Sequence, residues 1–79
     1  MERVTVSDAQ IYSAAGEVAY RLTYSDGSIV RAVISPNRII RKEFSSNGVW
    51  QTVGKPYVVG SSKGRAAETI VSMVRQFFN

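Results

Sequence analysis

This 79-residue chain predicts an α+β fold: an antiparallel meander of four to five strands with one C-terminal amphipathic helix packed on one face. Three observations lead there. Apolar residues alternate at period two through much of residues 17–53, turn dipeptides punctuate that alternation, and from about Ser62 the period becomes that of a helix. Several antiparallel strands followed by a single terminal helix make a two-layer arrangement within one domain, residues 1–79.

Near the N-terminus, Val4 and Val6, with Ile11 and Tyr12, suggest a first strand, and Ser7-Asp8 reads as an interruption. EVAYRLTY, residues 17–24, then places Val18, Tyr20, Leu22 and Tyr24 on one face of a half-buried strand. Asp26-Gly27 is a strong two-residue hairpin sequence, because both positions of such a turn need positive φ. A two-residue turn would pair Tyr24 with Ile29, Leu22 with Arg31 and Tyr20 with Val33, in a partner strand over residues 29–35 closed by Pro36-Asn37.

RIIRKEF, residues 38–44, is the third strand of this series, and Asn47-Gly48 returns the chain through Val49 to Val53. Gly54-Lys55-Pro56 reads as a loop, with a short extended stretch over residues 57–59. In the helix, Ala66, Ala67, Ile70, Val71, Val74, Phe77 and Phe78 share a face. Arg65, Glu68, Ser72, Arg75 and Gln76 share the opposite one. Ser61 or Ser62 is the natural N-cap, and Arg75 complements the dipole of the last turns.

Length and composition bound what this fold can do. A chain this short buries only about 60% of its unfolded surface, so the core is small and a homodimer would add burial. With 44% apolar residues it is too hydrophobic to read as disordered. It has no Cys, hence no disulfide framework, which favours a reducing compartment. No apolar run approaches the roughly 18 residues of a membrane span, and MERVTVSDAQ does not resemble a signal peptide. The expectation is a cytoplasmic protein.

Reactive chemistry is scarce. Without His or Cys the chain lacks the commonest general base, the commonest thiol nucleophile and most transition-metal ligand sets. Of the six carboxylates, Asp8, Glu17 and Glu43 are free of an obvious structural duty, and their spacing points to no acid–base pair. The chain is therefore expected to be neither an enzyme nor a carrier of a metal or cofactor. GSSKGR, residues 60–65, does not complete a P-loop, because Gly64 is followed by Arg65 rather than Lys and Ser/Thr. It is also one residue too long for the G-x-x-G of a KH loop.

Charge is the more informative property. The net charge of +4 is unevenly placed: residues 1–30 carry two cations and four anions, and residues 31–79 eight cations and two anions. Clustered positive charge on a small domain attracts polyanions, nucleic acid above all. Lys63 and Arg65 lie at a helix start that already carries partial positive charge, and a bound phosphate would compensate for that repulsion. Gly64 would let a backbone approach, while Arg65, three residues before Glu68, is spaced to pair with it.

GSSK followed by Ala66 resembles the start of the last helix of double-stranded-RNA-binding domains, where Ser-Lys-Lys residues ahead of an alanine-rich helix contact phosphates. The likeness covers about ten residues. This chain departs from it with Gly64 in place of the second Lys, Ala67 at the next basic position, and no amphipathic helix before the strands. The resemblance implies that Lys63 and Arg65 contact phosphate.

A second cationic group, Arg38, Arg41 and Lys42, is split by strand alternation, with Arg38 and Lys42 on one face and Arg41 on the other. Such charges also suit an edge strand protected against unwanted pairing. Trp50 and Tyr57 lie near Lys55 in sequence; Trp50 reads as core, and either ring, if exposed, would suit base stacking. Together these features predict a small binding module that holds the phosphate backbone of DNA or RNA through Lys63, Arg65, Lys55, Arg38, Arg41 and Lys42. The alternative is a protein-binding adaptor or inhibitor, of the kind phages and other mobile elements encode, that occludes a partner through a strand edge or aromatic patch.

Overall fold

The computed structural model describes residues 3–79. Five strands, β1 (Val6–Ala14), β2 (Glu17–Tyr24), β3 (Ile29–Ile34), β4 (Ile39–Ser45) and β5 (Gln51–Val58), form one sheet in sequence order, every neighbouring pair antiparallel. A 3-10 turn, Ser62–Gly64, leads into helix α1 (Arg65–Phe77), which packs against the sheet. The expected α+β meander with a covering C-terminal helix is the architecture observed. Among the described residues no helix is long and apolar enough to cross a membrane.

Pairing within the sheet follows the apolar pattern rather than the turn dipeptides. Ile29 lies opposite Thr23, not Tyr24, so Leu22 faces Val30, Arg21 faces Arg31 and Tyr20 faces Ala32. Residues 25–27 make a three-residue turn in which Tyr24 and Gly27 close the backbone bond, Gly27 adopts φ 89°, and the Asp26 carboxylate accepts from the Ser28 amide and hydroxyl. The register expected of a two-residue turn would have set Leu22 against Arg31 on one face. Because side chains alternate strictly, one step of slippage exchanges the two faces of a strand, and burying Leu22 decides between them.

Three other expectations are corrected. Ser7-Asp8 does not interrupt β1: the register shifts by one residue there, and the Ser7 hydroxyl donates to the Thr23 carbonyl. The Gly54-Lys55-Pro56 loop lies inside β5, whose register shifts by two residues between its pairings with Ile40 and Lys42. Gly54 at φ 75° supplies the left-handed residue of that bulge, and Pro56 is tolerated because β5 is an outer strand. Finally, β4 lies between β3 and β5, so its cations do not protect a sheet edge.

The core lies between sheet and helix. Ala9, Leu22, Ala32 and Ile40 meet Ala67, Ile70, Val71 and Val74. Leu22, Ile40 and Val74 are the largest fully buried side chains, each contributing on the order of 1.5–3 kcal/mol through burial. Ala9, Ala32 and Ala67 have no bulk beyond Cβ, which lets the helix settle close to the strands. The helical face is narrower than periodicity suggests: Ala66, Phe77 and Phe78 are exposed.

Candidate functional site

Helix α1 begins beside β4 and β5. Ser61 caps the 3-10 turn, its hydroxyl accepting from the Lys63 amide at 3.3 Å. Gly64 is buried, and a β-carbon on it would lie 3.2 Å from Tyr57 Cβ and 3.6 Å from Ile40 Cγ2. Its role is therefore close packing of the helix start on β4 and β5, rather than space for a ligand's approach. With that contact made, Lys63 is held beside the sheet.

The bulge in β5 supplies the opposite wall. Lys42 projects from the helix side of β4, paired with Val53, and the residues that follow Val53 carry Lys55 alongside it. Lys42, Lys55 and Lys63 thus line one open cleft of about 160 Å³, with Val53, Tyr57 and Ala66 among its walls. The three come from an inner strand, an outer strand and the helix approach, positions that are separated in sequence. No carboxylate lines the cleft, and none of the three lysines makes an ion pair among the described residues.

Arg65 is the first residue of α1 and exposed, adjacent to the cleft in sequence but not in its wall. The spacing that would pair it with Glu68 is not used: Glu68 Oε2 instead accepts from the Gly60 amide at 3.3 Å. Arg38 lies outside the cleft, in the β3–β4 turn, where it adopts φ 64° while its backbone bonds Ser35 and Val59.

Arg41 faces the other side of the sheet and is committed to carboxylates. Its Nη1 and Nη2 donate to the two carboxylate oxygens of Glu17 at 2.7 and 2.9 Å, and its Nε donates to Glu43 Oε2 at 3.2 Å. Arg31 Nε donates to Glu43 Oε1 at 2.6 Å and its Nη1 to the Tyr12 hydroxyl at 2.9 Å, while the guanidinium lies 3.8 Å from the centre of the Trp50 ring. Trp50 is accordingly half-buried under a cation rather than in the core.

This network holds its ionisation states. Burial opposes the charge on Glu43, but hydrogen bonds from Arg31 and Arg41 outweigh it and keep the carboxyl below its usual range. The bidentate bond from Arg41 lowers Glu17 in the same direction, and Arg41 itself is raised chiefly by the hydrogen bond to Glu17. Two arginines and two glutamates cancel, leaving Arg41 with no charge to spare for a phosphate.

The structure therefore brings Lys42, Lys55 and Lys63 together with Arg65 nearby, and sets Arg38 and Arg41 apart. Sequence alternation already separates Arg41 from Lys42 and puts Glu43 on the face of Arg41; the second neutralising carboxylate, Glu17, was not legible, because it lies two strands away. Among the described residues no group of His, Cys, Asp and Glu is arranged to hold a metal ion. Compared with known proteins, the chain matches no family model, no curated protein and no solved structure.

Proposed function

We propose that this domain is a non-enzymatic binding module that holds the phosphate backbone of a nucleic acid in the cleft lined by Lys42, Lys55 and Lys63. The observation that carries the reading is the convergence of these three ammonium groups, from three separate elements, on a cleft where, among the described residues, none is ion-paired and no carboxylate lines the wall. Lysines act as point charges with rotatable donors, suited to a backbone read by charge rather than by base identity. The partial positive charge of the helix start adds to the same potential, and Arg65 extends it along the surface.

Charge reversal tests the proposal. A Lys42→Glu, Lys55→Glu, Lys63→Glu triple variant is expected to lose binding to both an oligonucleotide duplex and a single strand in fluorescence anisotropy, with its far-UV spectrum unchanged. Retained affinity in a folded triple variant, or no binding by the unmodified protein at low salt, ends the reading.

A further inference from the structure

Beside the lysine cleft, part of the helix-facing side of the sheet is left uncovered. Helix α1 contacts β1 to β4, most closely β2 and β3, and a helix about 10 Å across leaves sheet surface uncovered on either side of its path. The principal contact of β5 on that side is with the 3-10 turn rather than with α1. Val53 and Phe44 remain 42% and 38% exposed there. Phe44 is on the same side of β4 as Lys42, because it faces Val30 just as Lys42 faces Ala32, and both of those β3 partners belong to the packing beneath the helix.

The helix contributes the other bank. Ala66, Met73 and Phe77 follow one another at helical spacing with Ile70 along a single flank, and Ala66 already lines the lysine cleft, which fixes that flank as the one facing Val53. Met73 and Phe77 are 36% and 47% exposed. The opposite flank carries Glu68, Ser72 and Arg75 against Ile34 and Val59, so the apolar exposure is one-sided. These side chains leave apolar surface exposed beside the helix, with three ammonium groups at the end where the helix begins.

We propose that this surface seats an acidic amphipathic helix of a partner protein, its apolar stripe on Phe44, Val53, Met73 and Phe77 and its carboxylates on Lys42, Lys55 and Lys63. Charge complementarity selects this occupant. A purely apolar partner leaves the lysines unpaired, and a second copy of this cationic chain brings net charge of the wrong sign. A nucleic-acid backbone satisfies the lysines and leaves Met73 and Phe77 in water. A helix laid beside α1 does both. The inference shares its lysines with the nucleic-acid reading but does not depend on it.

The probe is a capped synthetic peptide of about 14 residues, matching the roughly 20 Å length of α1. It has Leu at i, i+3, i+4 and i+7 and Glu elsewhere, and is compared with a scrambled peptide of the same composition. Amide chemical shifts and calorimetry read the binding. The amphipathic peptide is expected to bind and to shift the amides of residues 42–44, 53–55 and 63–77, and the scrambled one to bind far more weakly. Met73→Ser and Phe77→Ser, both at exposed positions outside the lysine cleft, should each weaken the peptide about tenfold while leaving oligonucleotide binding unchanged. Lys63→Glu should weaken the peptide in a folded protein. Equal binding of the two peptides, no binding of either, shifts confined to the other face of the sheet, or concentration-dependent dimerisation abolished by Phe77→Ser would each overturn the inference. Failure of oligonucleotide binding alone would leave it standing.

Discussion

Salt dependence gives the nucleic-acid reading a number. Each cation that neutralises a phosphate releases condensed counterions, so log affinity falls against log salt with a slope of about −0.9 per contact on duplex DNA and about −0.7 on a single strand. Three lysines line the cleft. They give a slope of about −2.7 on duplex, or about −3.6 with Arg65 included, which is roughly a 40- to 150-fold loss between 50 and 200 mM salt. Substituting one cleft lysine, Lys63→Ala, should make the duplex slope shallower by about 0.9. Arg41→Ala should leave it unchanged, because Glu17 and Glu43 already neutralise that guanidinium. Fluorescence anisotropy of a labelled duplex across a salt series measures all three slopes. A flat series would refute the argument, as would a slope that responds to Arg41 and ignores Lys63.

Other outcomes follow from the packing and the ion-pair network. Gly64→Ala places a β-carbon 3.2 Å from Tyr57 Cβ and should destabilise the fold by about 1–3 kcal/mol in urea denaturation, since that neighbour belongs to a strand and cannot rotate away. Arg38→Gly relieves a left-handed backbone and should stabilise by up to about 1 kcal/mol, with nucleic-acid affinity preserved. Glu43 has its carboxyl lowered in the folded state. Its contribution is therefore complete above the usual value near 4.5 and is lost as pH falls through the folded-state value. Glu43→Gln should cost about 1–3 kcal/mol at neutral pH and flatten the decline in melting temperature below that point. A melting profile with the same acid slope in both proteins would reassign the effect to other carboxylates.

Much of the sheet could be read from the chain because alternation is a local property. Val18, Tyr20, Leu22 and Tyr24 announce a strand and its buried face without knowledge of any partner. The helix was equally legible, since Ala67, Ile70, Val71 and Val74 repeat at its period. The turns were less so. Asp26-Gly27 favours a two-residue hairpin in isolation, but the apolar rows of β2 and β3 match only when the turn takes one more residue. In β5, Gly54 and Pro56 signal a loop to any local rule, and pairing with β4 on one side is what keeps the segment extended.

The sequence alone determined the class of fold, the excess of positive charge in residues 31–79 and the lack of His and Cys chemistry, because each is a sum or a short-range pattern. Which cations act together was decided only in three dimensions. Lys42, Lys55 and Lys63 meet because a bulge in an outer strand and a glycine-tight helix start bring their backbones together. Arg41, one residue from Lys42, is turned to the opposite face and neutralised by carboxylates from its own strand and from two strands away. Electrostatic partnership depends on distance through space, and chain folding sets that distance independently of separation along the sequence.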